Sequence, residues 1–366
     1  MADDLLTLRD LNRATLARQM LLERTSLPVT DAIERLGGMQ AQLNSAPFVG
    51  VWTRLQDFGR AQLAEAIERR AVMKATWLRA TLHLLTAADY ARFRTTLAPA
   101  LAGAADSIIE RRGVQFDREA VLAAARRFIA EQPRTFAEIS AMLSALLPEE
   151  DVGAMRYTVR THLPLVQVPS PGGWSYPSQP AFALAEPWIG RTVDSEARLR
   201  ELALRYLAGF GPASPADMQT WSGLPKLKDL FEQSRPELRV FKTDGRRELF
   251  DLPNAPLPGG DAPAPVRFLP EFDNLLLSHS NRTRILADEH RSRVYLPGLR
   301  VAATILVDGF VQGVWSVERA RKAATLVIAP FGALSARDRD ALAAESERLV
   351  RFVEPEAATY DVRFDK

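Results

Sequence analysis

One run of elements recurs along this chain: a helix, a second helix, a longer third and then a two-stranded hairpin. A repeat of that kind constrains the fold more than any single motif does. In the first copy Thr7 stands where its hydroxyl caps a helix, with Asp10 three residues on. Leu8, Leu11, Met20 and Leu21 mark the apolar stripe of that helix. A turn at 26–28 leads to Thr30 as the next cap, and the spacing predicts a helix over 31–36 that stops at Gly37-Gly38. A third helix is predicted over 62–69, and the stretch 72–85, rich in Thr, Val, Leu and Trp, reads as a strand pair.

The second copy spans 133–177. Thr135 caps a helix over 136–146, residues 155–161 suit a recognition-type helix, and strands at 165–168 and 174–176 flank a turn at 170–173. The third covers 196–252. Leu199, Leu202, Leu204 and Leu207 stripe its first helix, Ser214-Pro215 starts the second, and 224–233 supplies the third. Its hairpin, 238–243 and 246–251, turns at Asp244-Gly245, a dipeptide suited to a tight turn. After a Pro, Gly and Ala-rich linker at 253–265 come strand-like runs at 266–269, 301–308, 310–317 and 325–328, with Asp308-Gly309 joining the middle two. Ser335 with Asp338 caps a last helix reaching about 352. Helix, helix, helix, hairpin is the winged-helix plan. The expectation is an α+β fold of three tandem winged-helix units, at 1–100, 101–190 and 191–255, followed by a β-rich, barrel-like module at 256–366.

Composition excludes several classes. Apolar residues are 47% and charged residues 25%, ordinary for a globular protein, and runs such as 301–307 are too short to span a bilayer. The start Met1-Ala2-Asp3-Asp4 is acidic, unlike a signal peptide, which leads to an expected cytoplasmic location. There is no cysteine, which removes disulfides, thiolate metal sites and cysteine nucleophiles. The four histidines, His83, His162, His279 and His290, lack the spacing that puts two ligands on one helical face, so neither metal nor cofactor is expected. Net charge is only +2, so any nucleic-acid contact must rest on local basic patches.

The segment Gly37-Gly38-Met39-Gln40-Ala41-Gln42 is the first candidate for chemistry. Residues two apart share a side on extended backbone but lie roughly 200° apart on a helix. A break at the two glycines would let the amides converge, although the bare Gln-x-Gln pattern equally fits surface or helix-capping glutamines. Taken with Leu78-Arg79-Ala80-Thr81-Leu82-His83-Leu84 and Phe268-Leu269-Pro270-Glu271-Phe272-Asp273-Asn274-Leu275-Leu276, it resembles the winged-helix DNA glycosylases typified by the azinomycin B resistance glycosylase AlkZ and YcaQ-like proteins. The likeness runs in order over nearly the whole chain. It implies tandem winged helices and a C-terminal β-rich module around a DNA channel, and a water-positioning pair at Gln40 and Gln42. The all-amide pair is more similar to the crosslink-unhooking branch than to the branch with a carboxylate.

A carboxamide is no general base near neutral pH, but its carbonyl holds a water against the sugar. That suffices when the purine is already cationic, as N7-alkylguanine is, because it leaves without protonation. The expected activity is that of a monofunctional DNA glycosylase acting on alkylated purines, including interstrand crosslinks, in double-stranded DNA. Glu271 and Asp273 are the rival catalytic residues, Asp273 as catalytic support, though both also suit a structural turn. His83 reads as a structural histidine. Lys242, Arg246 and Arg247 around the hairpin tip, together with His279 and Arg282, are the candidate DNA contacts. The alternative is a non-catalytic winged-helix regulator, which commonly needs a dimer to match two half-sites. Three units in one chain favour a monomer.

Overall fold

The structure, a computed structural model, describes residues 5–243 and 247–365. The chain opens with β1 (Leu5–Leu6) and α1 (Leu8–Arg18). Thr7 and Asp10 form the capping box read from the sequence, the carboxylate accepting the Thr7 backbone N–H at 2.9 Å. Then follow α2 (Val29–Arg35), β2 (Met39–Gln40), α3 (Ala46–Trp52), α4 (Arg60–Glu68), β3 (Val72–Thr76) and β4 (Leu82–Thr86). After the long α5 (Ala87–Arg112) the same order returns as α6 (Arg118–Glu131), β5 (Arg134–Thr135), α7 (Phe136–Leu146), α8 (Val152–His162), β6 (Leu165–Gln167) and β7 (Ala181–Leu184). In both copies the short first strand pairs antiparallel with the last, β2 with β4 and β5 with β7. Following α9 (Ala185–Ile189), a third copy has α10 (Leu199–Phe210), α11 (Pro215–Ser222), α12 (Lys228–Ser234), β8 (Arg239–Thr243) and β9 (Glu248–Asp251). There a single bridge, Ala213 to Phe250, takes the place of the first strand.

The first two copies share one sheet, in the order β2-β4-β3-β6-β7-β5, because β3 also pairs with β6. Three departures from the sequence reading have local causes. The partner of β6 is β7 at 181–184, not the expected 174–176, which lies in a turn closed by Ser170 N donating to Ser175 O. No helix was expected at α3, because all seven of its residues are buried and no amphipathic period marks it. And α5 runs unbroken across position 100.

The C-terminal part holds β10 (Arg267–Leu269), α13 (Arg291–Val294), β11 (Tyr295–Leu296), β12 (Arg300–Val301), β13 (Thr304–Val307), β14 (Phe310–Ala320), β15 (Ala323–Pro330), α14 (Ala336–Val353) and β16 (Thr359–Phe364). Its sheet runs β10-β13-β14-β15-β16 and stays open, with β10 and β16 as edges, so the expected barrel-like closure is corrected to an open sheet. Asp308 and Gly309, at φ of 47° and 81°, make the tight turn between β13 and β14. Among the described residues no helix is long and apolar enough to cross a membrane.

The cores show what holds the first copy. Ile33, Phe48, Val51 and Leu63 pack in one cluster with Phe268, Ile305, Leu326 and Leu349 of the C-terminal part. Met73, Ala75 and Leu85 pack instead with Tyr206, Phe210 and Trp221 of the third copy. The second copy has its own cluster around Val121, Ile139 and Val159. The first copy is thus clamped between two partners, and β2 lies where they meet.

Candidate active site

The Gln40 strand exists because two glycines end α2. Gly37 and Gly38 sit at φ of 64° and 93°, a region L side chains rarely adopt, and a Cβ on Gly37 would stand 2.6 Å from the Trp221 ring. The chain therefore leaves the helix and runs extended. Met39 and Gln40 pair with Leu84 and His83, and Ala41 N donates to Leu82 O at 2.8 Å. Gln40 is buried and Gln42, two residues on, is exposed.

Gln40 is held by Arg79, whose guanidinium donates to the amide Oε1 at 2.9 Å and to the Trp221 carbonyl at 2.5 Å. Arg79 and Ala80 both lie in the left-handed region, at φ of 55° and 56°. Burial, and after it the charge of Arg282, brings the Arg79 guanidinium down to about 10, still cationic at neutral pH. Sequence reasoning did not single out Arg79 as a site residue, although it lies in a quoted motif. Its contact with Gln40 spans 39 positions and leaves no periodic signal.

The far wall comes from the segment after β10. Pro270, Glu271, Phe272, Asp273 and Asn274 line a small pocket with Gln40 and Arg54, with room of about 10 Å³, about one water. Glu271 and Phe272 also line an adjoining cleft of about 530 Å³ with Gln42, Leu296, Arg300 and Trp315, a volume suited to a small-molecule group. Asn274 donates to Gly38 O at 2.6 Å, tying this wall to the glycine break. Phe272, at φ of 60°, is strained for a bulky residue.

The two carboxylates of the wall differ. Both Asp273 oxygens accept from Arg54, at 2.9 and 2.8 Å, in a buried pair, and Asp273 also caps the next turn through Leu275 N. Glu271 is half-buried, and among the described residues no cation pairs with it and no side chain donates to it. Burial pushes its carboxyl above the ordinary range, against weaker pulls from its own backbone N–H and from Arg319.

The remaining candidates lie apart. His83 is buried, with Nδ1 3.2 Å from the Thr81 carbonyl, and burial holds it neutral. His279, expected at a DNA surface, is inside the core: it is 1% exposed and its Nε2 donates to the Phe210 carbonyl at 2.9 Å. The neighbouring arginines suggested an exposed loop, but Arg284 points inward with it, bonding Pro212 O. Arg247 reaches Ser214, Asp217 and Ser280, and its side chain is 37% exposed. Arg282 stacks over Tyr295 at 4.5 Å. Lys242 is exposed, and Arg246 and the Asp244-Gly245 tip lie outside the described residues.

The fold is that of a DNA glycosylase: 99% of this chain superposes on 100% of the Streptomyces sahachiroi DNA glycosylase AlkZ, with a TM-score of 0.81 at 22% identity. A sequence model of the AlkZ-like DNA glycosylases matches residues 33–352, and the chain belongs to that family. It is also 26% identical, over 93% of its length and 92% of the relative's, to an interstrand DNA cross-link repair glycosylase of Streptomyces sahachiroi.

Proposed function

We propose that the protein hydrolyses the N-glycosidic bond of cationic alkylpurines in double-stranded DNA, N7-alkylguanine foremost, with a water held by Gln40 and Gln42. The observation that carries this reading is the extended strand after the glycine break, which brings one amide to a water-sized pocket and the next to the adjoining cleft. Arg79 occupies one side of the Gln40 carbonyl and fixes its direction, leaving the other lone pair for water. As C1′ takes on positive charge, the water oxygen bonds to it and the C1′–N9 pair neutralises the departing purine. A leaving group that is already cationic needs no acid, which is why two neutral amides suffice to orient the attack.

The element order and pairing of the three copies support reading each as a winged helix, with the third hairpin, carrying Lys242, Arg246 and Arg247, set against the phosphates. Arg282, which stacks over Tyr295, is read as a further DNA contact of this face. Asp273 supports the site by holding its wall. By analogy with the cross-link relative, interstrand crosslinks through N7 of guanine fall within the substrate class. The reading includes a monomeric, monofunctional, metal-independent hydrolase of the cytoplasm.

The test is release of N7-methylguanine from a duplex by wild type, Gln40→Ala and Gln42→Ala. Excision by wild type and its loss in both variants, with DNA binding intact, is the expected result. Equal rates on a neutral lesion would remove the leaving-group argument. Binding without any excision would turn the reading toward a regulator.

A further inference from the structure

We propose that Glu271 is the general base of this reaction: its carboxylate takes the proton of the water that Gln40 and Gln42 orient, as that water bonds to C1′ of the deoxyribose. The step balances within the site. The C1′–N9 bonding pair leaves with the alkylated purine, whose positive charge it cancels, and the proton on Glu271 passes to solvent afterwards. The inference rests on the hydrolytic reading above and supplies what that reading lacks, because a carboxamide orients water but cannot accept its proton.

Three observations carry it. Glu271 lines both the pocket that Gln40 lines and the cleft that Gln42 lines, which puts this residue where the two adjoin. Its neighbours hold it in place: Phe272 is turned at a positive φ, Asp273 is clamped by Arg54, and Asn274 is tied to Gly38 O. Its own oxygens receive no side-chain donor or cation among the described residues, whereas the Asp273 oxygens two positions away are both engaged. A half-buried carboxylate without a side-chain partner keeps its lone pairs for solvent or a bound group, as a proton acceptor in a cleft requires.

The charged groups facing Glu271 are few. In the inner pocket Arg54 and Asp273 cancel one another. Arg300 and Asp365 line the outer cleft, and Arg319 of β14 lowers the Glu271 carboxyl slightly. Arg79 and Arg282 place positive charge on the Gln40 side. A sugar cation forming there gains from a negative group opposite, and Glu271 supplies it.

The experiment is single-turnover excision of N7-methylguanine from a duplex between pH 4.5 and 8. The wild-type rate is expected to rise along an acid limb lying above the ordinary carboxylate range and then level. Glu271→Gln should lower the plateau about 100-fold and abolish the limb, with melting temperature and duplex affinity unchanged. Glu271→Asp should keep the limb and part of the rate. Wild-type rate in Glu271→Gln, or a wild-type profile flat across this range, would overturn the assignment, and the second of these stands even if the Gln variant does not fold. A wild type that releases nothing would sink the hydrolytic reading itself, whereas an active wild type matched by Glu271→Gln would sink only the role of Glu271.

Discussion

The third copy and the Gln40 cleft each bury a group of polar side chains, and they dispose of them in opposite ways. Around Asp217 every acceptor is occupied: Ser214 donates through N and Oγ at 2.9 and 2.7 Å, Ser280 through N and Oγ at 2.9 and 2.6 Å, and Arg247 at 3.1 Å. Burial would raise that carboxyl, but Arg284 and these donors outweigh it and hold it below the usual range. His279 beside it is pushed down to about 3, by burial first and then by Arg284, so it stays neutral. In the cleft, among the described residues, Gln40 has one side-chain donor and Glu271 has none. A saturated cluster fastens segments together; an unsaturated one keeps lone pairs for a ligand.

Asp273 and Glu271 bring the contrast into a single turn, and Asp273→Ala should break it with the largest effect. Removing that carboxylate leaves Arg54 buried and uncompensated, which is expected to cost about 3–5 kcal/mol of unfolding free energy in urea titrations. Excision per folded molecule should fall far less. An Asp273→Ala protein of normal stability that no longer excises would move Asp273 to the catalytic side.

Arg79→Ala sharpens the comparison from the other wall. Gln40 then loses its one side-chain donor, and the single-turnover excision rate should drop about 10-fold through misorientation, with duplex affinity held. No change in rate would mean that the strand alone orients the amide.

Lys242→Ala carries the smallest expected effect, since the residue is exposed and bonds to neither cluster among the described residues. If the hairpin meets phosphates, binding should weaken on every duplex sequence and the slope of log affinity against log salt should flatten by about 1. An unchanged slope would take Lys242 out of the interface.

Much of the fold was legible because its signals are local. The Thr7–Asp10 and Ser335–Asp338 caps form as read, Thr135 caps its helix, and Ser214-Pro215 opens one. The Gly37-Gly38 break and the Asp308-Gly309 turn need only the φ freedom of their own residues. Several elements escaped notice, α5 and α6 among them, and three show why. The wholly apolar α3 has no polar face, β7 follows a ten-residue-scale loop that the turn at 170–173 masked, and the edge strand β16 lies only half-covered. The same limit governed the site. Gln40 and Gln42 were named from a motif, but nothing in the string Glu271-Phe272-Asp273 tells which carboxylate is clamped and which is free.

The amino-acid sequence by itself determined the repeat, several helix starts and the glycine break that ends α2, since each depends on neighbours within a few positions; Thr30, read as a cap, lies inside α2 instead. Tertiary structure alone decided what Gln40 and Gln42 face. Arg54 meets Asp273 across 219 positions, Asn274 meets Gly38 across 236, and Trp221 closes on Gly37 from the third copy. Such contacts are settled by how whole elements bury their apolar faces, a property of the packed core that no local spacing encodes.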